Sequence, residues 1–200
     1  MPKPSHREKL LQVGMQVVHE RGFRGASVRD IVQAAGVPQG SFTNHFASKE
    51  AFGLEVVGLY AAQADAAMRQ TLRNEHLPAL QRLRAFIERS KTGFADDDAP
   101  RNGCLLGNFS AESNDCGDAL RGRVVEALAA MQDALAFCLR AAVAAGEIAP
   151  STDCDETAEF VLAGLQGATL LAKARRSPRP LERFEDMLFE RVLERVAPAR

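Results

Sequence analysis

Apolar residues recur at steps of three and four along most of the chain, and the strict alternation of strands is absent. The pattern predicts an all-α fold of about nine helices. Leu10, Leu11, Gly14, Val17 and Val18 share one face of a first helix from about Ser5 to Arg21. Gly22 then offers a left-handed cap, with Phe23 folding back on the last turn. Two short helices fit between residues 27 and 46. A long helix follows, N-capped by Ser48 and carrying Phe52, Val56, Val57, Tyr60, Ala61, Ala64 and Met68 to about Arg73. A fifth runs from about Pro78 to Thr92, and a sixth, short one spans about Leu105 to Ser113. The clearest stripe is Leu120, Val124, Leu128, Met131, Leu135, Cys138 and Ala142, ended by Gly146. The last two helices cover about Asp153 to Arg175 and Pro180 to Val196.

The helix from Asp153 is apolar on more than one side, with Phe160, Val161, Leu162, Leu165, Leu170 and Leu171. Either one subunit buries it whole, or a second copy covers the outer face. The second reading predicts a homodimer through the last two helices, with Leu181, Phe184, Leu188 and Val192 supplying the partner stripe.

The segment from Ser27 to Phe46 carries the most information. Ser27 and Asp30 form a variant capping box, opening a helix with Val28, Ile31, Val32 and Ala35 inward. Gly36 breaks it, Val37 packs at the turn, and Pro38 suits the first turn of a second helix. Two short helices about a glycine turn are the pattern of a helix-turn-helix. The second helix presents Gln39, Gly40, Ser41, Thr43, Asn44 and His45, small or hydrogen-bonding groups suited to a major groove. Gly40 is a poor helix former whose benefit would be close approach of the backbone to DNA. The positive end of this helix would lie near phosphate. His45 is open to a second reading, as a packed residue that holds Phe46.

Composition narrows the alternatives. The chain is 200 residues long, 46% hydrophobic and 26% charged, with net charge -1. Within it, residues 1–50 hold seven Lys or Arg against four acids, a local +3 that leaves -4 for the rest. A basic head suits a polyanion, though a solvated surface gives the same imbalance. A non-specific architectural DNA protein would be strongly basic, whereas the pI here is near 6.4. No run of apolar residues reaches the roughly 18 of a membrane span, and the N-terminus lacks a secretory pattern, so a cytoplasmic protein with no membrane partner is expected. The cysteines Cys104, Cys116, Cys138 and Cys154 are too scattered for a zinc site or a disulfide framework. Asp96-Asp97-Asp98 is a solvated loop by composition, and no catalytic grouping occurs. Neither an enzyme nor a metal- or cofactor-dependent protein is expected.

Residues 7 to 52 resemble the DNA-binding head of TetR-family regulators. The matching positions are Glu20-Arg21-Gly22-Phe23, Ser27-Val28 with Asp30-Ile31, Ala35-Gly36-Val37, Gly40-Ser41-Phe42, His45-Phe46, and Ser48-Lys49-Glu50 with Phe52. The resemblance implies a helix-turn-helix domain over residues 1–50 and a ligand-binding and dimerisation domain over 51–200. It implies a transcriptional regulator, a repressor released from a palindromic operator in double-stranded DNA by a small-molecule or electrophile inducer. An activator or a thiol-based redox sensor of the same fold is the alternative. DNA contacts are expected from Arg29, Gln39, Gly40, Ser41, Thr43, Asn44, His45 and Lys49. Thr43 stands where the family usually has a phosphate-contacting Tyr.

Phe86, Phe94, Cys104, Phe109, Met131, Phe137 and Phe160 are the candidates for an inducer cavity, or else ordinary core. The stretch Asn102-Gly103-Cys104-Leu105-Leu106-Gly107-Asn108-Phe109 is similar to one in a TetR subgroup of electrophile- and unsaturated-acid-responsive regulators. Cys104, after a glycine, before a helix and near Arg101, is placed to favour thiolate. A small buried core thiol is the other reading.

Overall fold

The computed structural model describes residues 5–95, 102–112 and 117–193. Asp96-Asp97-Asp98, Arg101 and Cys116 lie outside them. Nine α-helices occur among the described residues. The first five are α1 (His6–Arg21), α2 (Val28–Ala35), α3 (Gly40–His45), α4 (Lys49–Gln70) and α5 (Ala79–Ala95). The others are α6 (Leu105–Ala111), α7 (Asp118–Ala144), α8 (Cys154–Arg175) and α9 (Arg179–Met187). The chain divides into two compact units, residues 1–62 with 105–127, and residues 63–104 with 128–200.

In the first unit, Ser5 and Glu8 start α1 with a reciprocal capping box, the Glu8 N–H donating to Ser5 Oγ at 3.2 Å. Leu10, Val17 and Val18 turn inward, and Gly14 does more than fill the stripe. A Cβ there would stand 2.6 Å from Phe52 and 2.8 Å from Ile31, so only glycine lets α4 and α2 close on α1. Phe42, Phe46 and Phe52 form the centre, with ring centroids 5.0 to 5.3 Å apart. Such clusters add about 0.5–1.5 kcal/mol per pair beyond burial. Gly22 takes φ 78 and ψ 161, a positive-φ extended form instead of the expected left-handed cap. Phe23 accordingly leaves the end of α1 and packs on Phe109 at 5.3 Å.

In the second unit, Leu83, Ile87, Leu135, Val161 and Leu181 are fully enclosed. Asp153 caps α8 by accepting from the Asp155 and Glu156 N–H groups. Gly164 admits Phe184 of α9, which would lie 2.5 Å from a Cβ. Glu147 accepts from the Ala79 and Leu80 N–H groups at 2.8 and 2.9 Å, satisfying the orphan donors at the start of α5. Glu185, 7% exposed, pairs with Arg84 at 2.9 Å and with Lys91. Arg84 also stacks on Phe189, 3.8 Å from the ring centroid. Burial alone would lower the Lys91 pKa, but Glu185 and Glu88 outweigh it and hold the ammonium above its ordinary value. Severing such a buried pair typically costs about 3–5 kcal/mol, so this cluster fixes α9 on α5.

Two sequence expectations about α9 are corrected. The α-helix ends at Met187, and Leu188–Val192 forms one π turn closed by the Leu193 N–H on Leu188 O at 2.9 Å. Residues 194–196 of the expected helix lie outside the described residues. Two residues of the stripe assigned to a partner turn inward, Leu181 and Leu188 being 0% and 1% exposed within their own chain, while Val192 stays exposed. Burial of α7 follows its stripe, with Leu120, Val124, Leu135, Cys138 and Ala142 enclosed. This 27-residue helix is long and apolar enough to cross a membrane by length and composition alone. It carries Arg121, Arg123, Glu126, Asp133 and Arg140 among its outward positions, as the long core helix of a globular chain does.

Candidate nucleic-acid interface

The helix-turn-helix begins with Ser27, whose hydroxyl accepts from the Asp30 N–H at 3.1 Å and donates to Asp30 Oδ2 at 2.5 Å. The Ser27 N–H donates to the same carboxylate at 2.9 Å. These Ser27 bonds, side chain first, hold the Asp30 carboxyl below the usual range, and Arg21 at 2.7 Å assists. Asp therefore completes the capping box as Glu would. Ile31, Val32 and Ala35 are buried while Val28 is half-buried. Gly36 sits at φ 60 and ψ 41, and its N–H returns to α2. A residue with a side chain would be strained there.

α3 starts later than the sequence suggests. Pro38 lies before the helix and offers its carbonyl to the Ser41 N–H at 2.9 Å, with Gln39 as the N-cap residue. Six residues give barely two turns, so the two faces separate cleanly. Phe42 and Ser41 point inward, 2% and 8% exposed. Gln39, Gly40, Thr43, Asn44 and His45 are exposed, as is Arg29 on α2. Nothing lies within 4 Å of a Cβ built on Gly40, so its backbone is open to an approaching surface.

Ser41 departs from the expected contact set. Its hydroxyl lies 3.4 Å from His6 Nδ1, linking α3 to α1, and faces away from the open side. Thr43 is exposed, but its hydroxyl donates to Gly40 O at 3.1 Å. Where the family's Tyr would offer a donor to phosphate, this O–H is committed to its own helix. The His45 ring is exposed, against the reading that it packs to hold Phe46. Lys49 is half-buried, its Nζ donating to Arg24 O at 3.3 Å and lying 4.9 Å from the centroid of Phe23. Lys9 was not singled out in the sequence, yet its Nζ hangs 3.6 Å from the Cβ position of Gly36. Nothing in its local pattern marks it, because the turn it covers lies 27 residues away in the chain.

The inducer-cavity candidates are distributed over both compact units. Phe86, Phe94 and Met131 are buried in the second unit, whereas Phe109 packs on Phe23 in the core of the first. Phe137 and Phe160 are 39% and 52% exposed, so in the single chain neither lines an enclosed space. Phe137 carries Arg73 over its ring, 5.9 Å from the centroid. Cys104 is half-buried, and Gln166 Nε2 donates to its sulfur at 3.4 Å. Burial pushes the Cys138 thiol up to about 12 and raises that of Cys154 as well. No cluster of three His, Cys, Asp or Glu side chains suited to a metal occurs among the described residues.

Comparison with known proteins agrees with this geometry. Residues 10–56 match the family model described as bacterial regulatory proteins, tetR family, and residues 79–188 match the tetracyclin repressor-like C-terminal domain. The HTH-type transcriptional repressor DhaR of Mycobacterium sp. (strain GP1) is 33% identical, over 96% of this chain and 95% of its own. The regulatory protein TetR from Rhodobacter sphaeroides superposes with a TM-score of 0.86 at 32% identity, covering 91% of this chain and 96% of the other. The reduced form of NemR from E. coli gives a TM-score of 0.87 at 27% identity, covering 98% and 99%.

Proposed function

The chain belongs to the TetR family of DNA-binding transcriptional regulators, and from that premise we propose that it is a repressor whose α3 enters the major groove of a palindromic operator. The observation that carries this reading is the exposed polar face of Gln39, Gly40, Thr43, Asn44 and His45 on a helix anchored by Phe42. Arg29, Lys49 and Lys9 supply the cations for flanking phosphates, which fix register while the α3 face reads bases. Relatives named as repressors support the direction of control. A regulator of this kind works in the cytoplasm, where its DNA lies.

The chain acts as a homodimer. The inner face of α8 (Ala158, Val161, Leu162, Leu165, Ala168, Ala172) is buried in its own subunit. Its outer face leaves Phe160, Leu170 and Leu171 at 52%, 66% and 46% exposure, with Ala163, Gly167 and Ala174 beside them. Six apolar positions at helical spacing, uncovered, call for a second copy, and Met187 and Val192 are likewise exposed after α8. Leu181 and Leu188, enclosed in their own chain, take no part in the proposed seam.

The experiment that tests the function is selection of bound duplexes from a pool of genomic fragments. A short inverted repeat is expected, its half-sites about 34 Å apart or a multiple of that. Recovery of fragments with no shared sequence would reject specific recognition.

Release from DNA is assigned to a small-molecule inducer, with Cys104 as the thiol that an electrophile would modify. What supports this second element is the position of Cys104, half-buried at the start of α6 with the Gln166 amide donating to its sulfur. Cys104→Ser is expected to retain DNA binding but lose release by an α,β-unsaturated aldehyde or a peroxide. Gel-shift titration of both forms checks it, and equal release by the mutant removes the thiol from the mechanism.

A further inference from the structure

We infer that Glu112 is a positioning residue for DNA binding, holding the turn between α1 and α2 from the end of α6. Its carboxylate accepts from the Phe23 N–H at 3.1 Å and the Arg24 N–H at 2.7 Å. The turn is built to receive it. Gly22 has φ 78, and a Cβ on it would lie 2.4 Å from Glu112 Oε1, so the missing side chain is the space the carboxylate fills.

Three further contacts hold the same place. Asn108 Nδ2 donates to His19 O at 3.4 Å, Phe109 packs on Phe23 at 5.3 Å, and Lys49 Nζ donates to Arg24 O at 3.3 Å. The peptide donors of residues 23 and 24 thus go to α6, and the carbonyl of residue 24 goes to the start of α4. Every one of these groups lies in the first compact unit.

The consequence concerns where the DNA-binding part of the chain ends. α2 begins four residues after Arg24, and α3 follows α2 after Gly36, so the turn sets the angle at which α3 is presented. Charge-assisted bonds to backbone N–H are about twice as strong as neutral ones, and two on adjacent donors fix direction as well as distance. α6, separated from the helix-turn-helix by some sixty residues of sequence, is part of the DNA-binding unit. This rests on the reading of α3 as the groove-entering helix.

The test compares Glu112→Ala with Glu147→Ala, both measured against the duplex recovered by selection. Glu147 makes the same pair of bonds, to the N–H groups of Ala79 and Leu80, but in the second unit. Removing Glu112 is expected to speed amide exchange at Phe23 and Arg24 and to weaken DNA binding about tenfold, within the range of about 5–150-fold for coupled elements. Removing Glu147 is expected to leave DNA affinity unchanged. Glu112→Gln keeps one acceptor and should lose about threefold, the worth of one hydrogen bond, and it is the variant to read where the alanine form does not fold. Faster exchange with unchanged DNA affinity, or equal weakening by the Glu112 and Glu147 variants, overturns the inference. A wild-type chain that selects no duplex overturns instead the function on which it rests.

Discussion

Gly40→Glu is expected to abolish operator binding while the folded chain stays as stable as before or becomes firmer. Gly40 opens α3, is exposed, and has nothing within 4 Å of a Cβ, so a side chain fits without displacing a neighbour. Its backbone carries no positive φ to strain a substituted residue. In a helix, glycine is less favourable than alanine by about 1 kcal/mol, and a carboxylate in the first turn gains about 0.3–1 kcal/mol from the helix dipole. On DNA the sign reverses. The new charge stands on the face that must meet phosphate and base edges, and juxtaposed like charges cost several kcal/mol. About 3 kcal/mol per head is a loss of about 150-fold for each head, and on the order of ten-thousandfold for two heads on one operator. Fluorescence anisotropy with the selected duplex measures the loss, and a thermal melt shows the fold intact. Retention of tight binding by this variant would mean that the open side of α3 does not face DNA.

Leu170→Glu is expected to separate the dimer. Leu170 is 66% exposed in the single chain, so the substitution leaves the subunit's own core untouched, where surface changes usually stay within about 0.5 kcal/mol. In the proposed homodimer the same position would be buried in both copies. Each unpaired buried charge costs several kcal/mol, and the symmetry of the dimer doubles it, so a weakening of about a thousandfold or more follows. Sedimentation velocity should show a folded monomer at concentrations where the wild type is a dimer. Operator affinity should fall with it, because two heads bound together exceed one head alone by the effective concentration their linkage provides. An unchanged dimer would mean that the outer face of α8 is covered by something else or by nothing.

The sequence was most informative where function and fold both depend on local chemistry. Ser5 and Glu8, Ser27 and Asp30, Gly36, and Asp153 each act within a few residues of themselves, so their spacing alone locates α1, α2, the turn and α8. The stripes that bury Leu10, Ile31, Leu135 and Val161 follow from the helical period for the same reason. The exposed polar face of α3 was legible too, Ser41 apart, because a six-residue helix has one face that can hold Phe42 and one that cannot.

Ser41 shows where that reasoning stops. It is polar and sits among polar residues, yet His6 approaches it from α1 and turns it inward. Phe137 and Phe160 differ in the opposite sense, since aromatic character suggests the interior and in the single chain both stand exposed. The inward turn of Leu181 and Leu188 depends on α9 being drawn to α5 by Glu185, Arg84 and Lys91, whose partners stand about a hundred residues apart.

The sequence by itself determined the helices, the glycine turn, the small polar face of α3 and the family. Tertiary structure alone decided which atoms hold the head in place: Glu112 on the Phe23 and Arg24 N–H groups, Lys49 on the Arg24 carbonyl, Lys9 over Gly36. The physical reason is range. Capping bonds and helical periodicity operate within one or two turns and leave a mark in residue spacing. A carboxylate that satisfies two backbone donors 88 and 89 positions away leaves none, because backbone N–H groups are the same in every residue but proline.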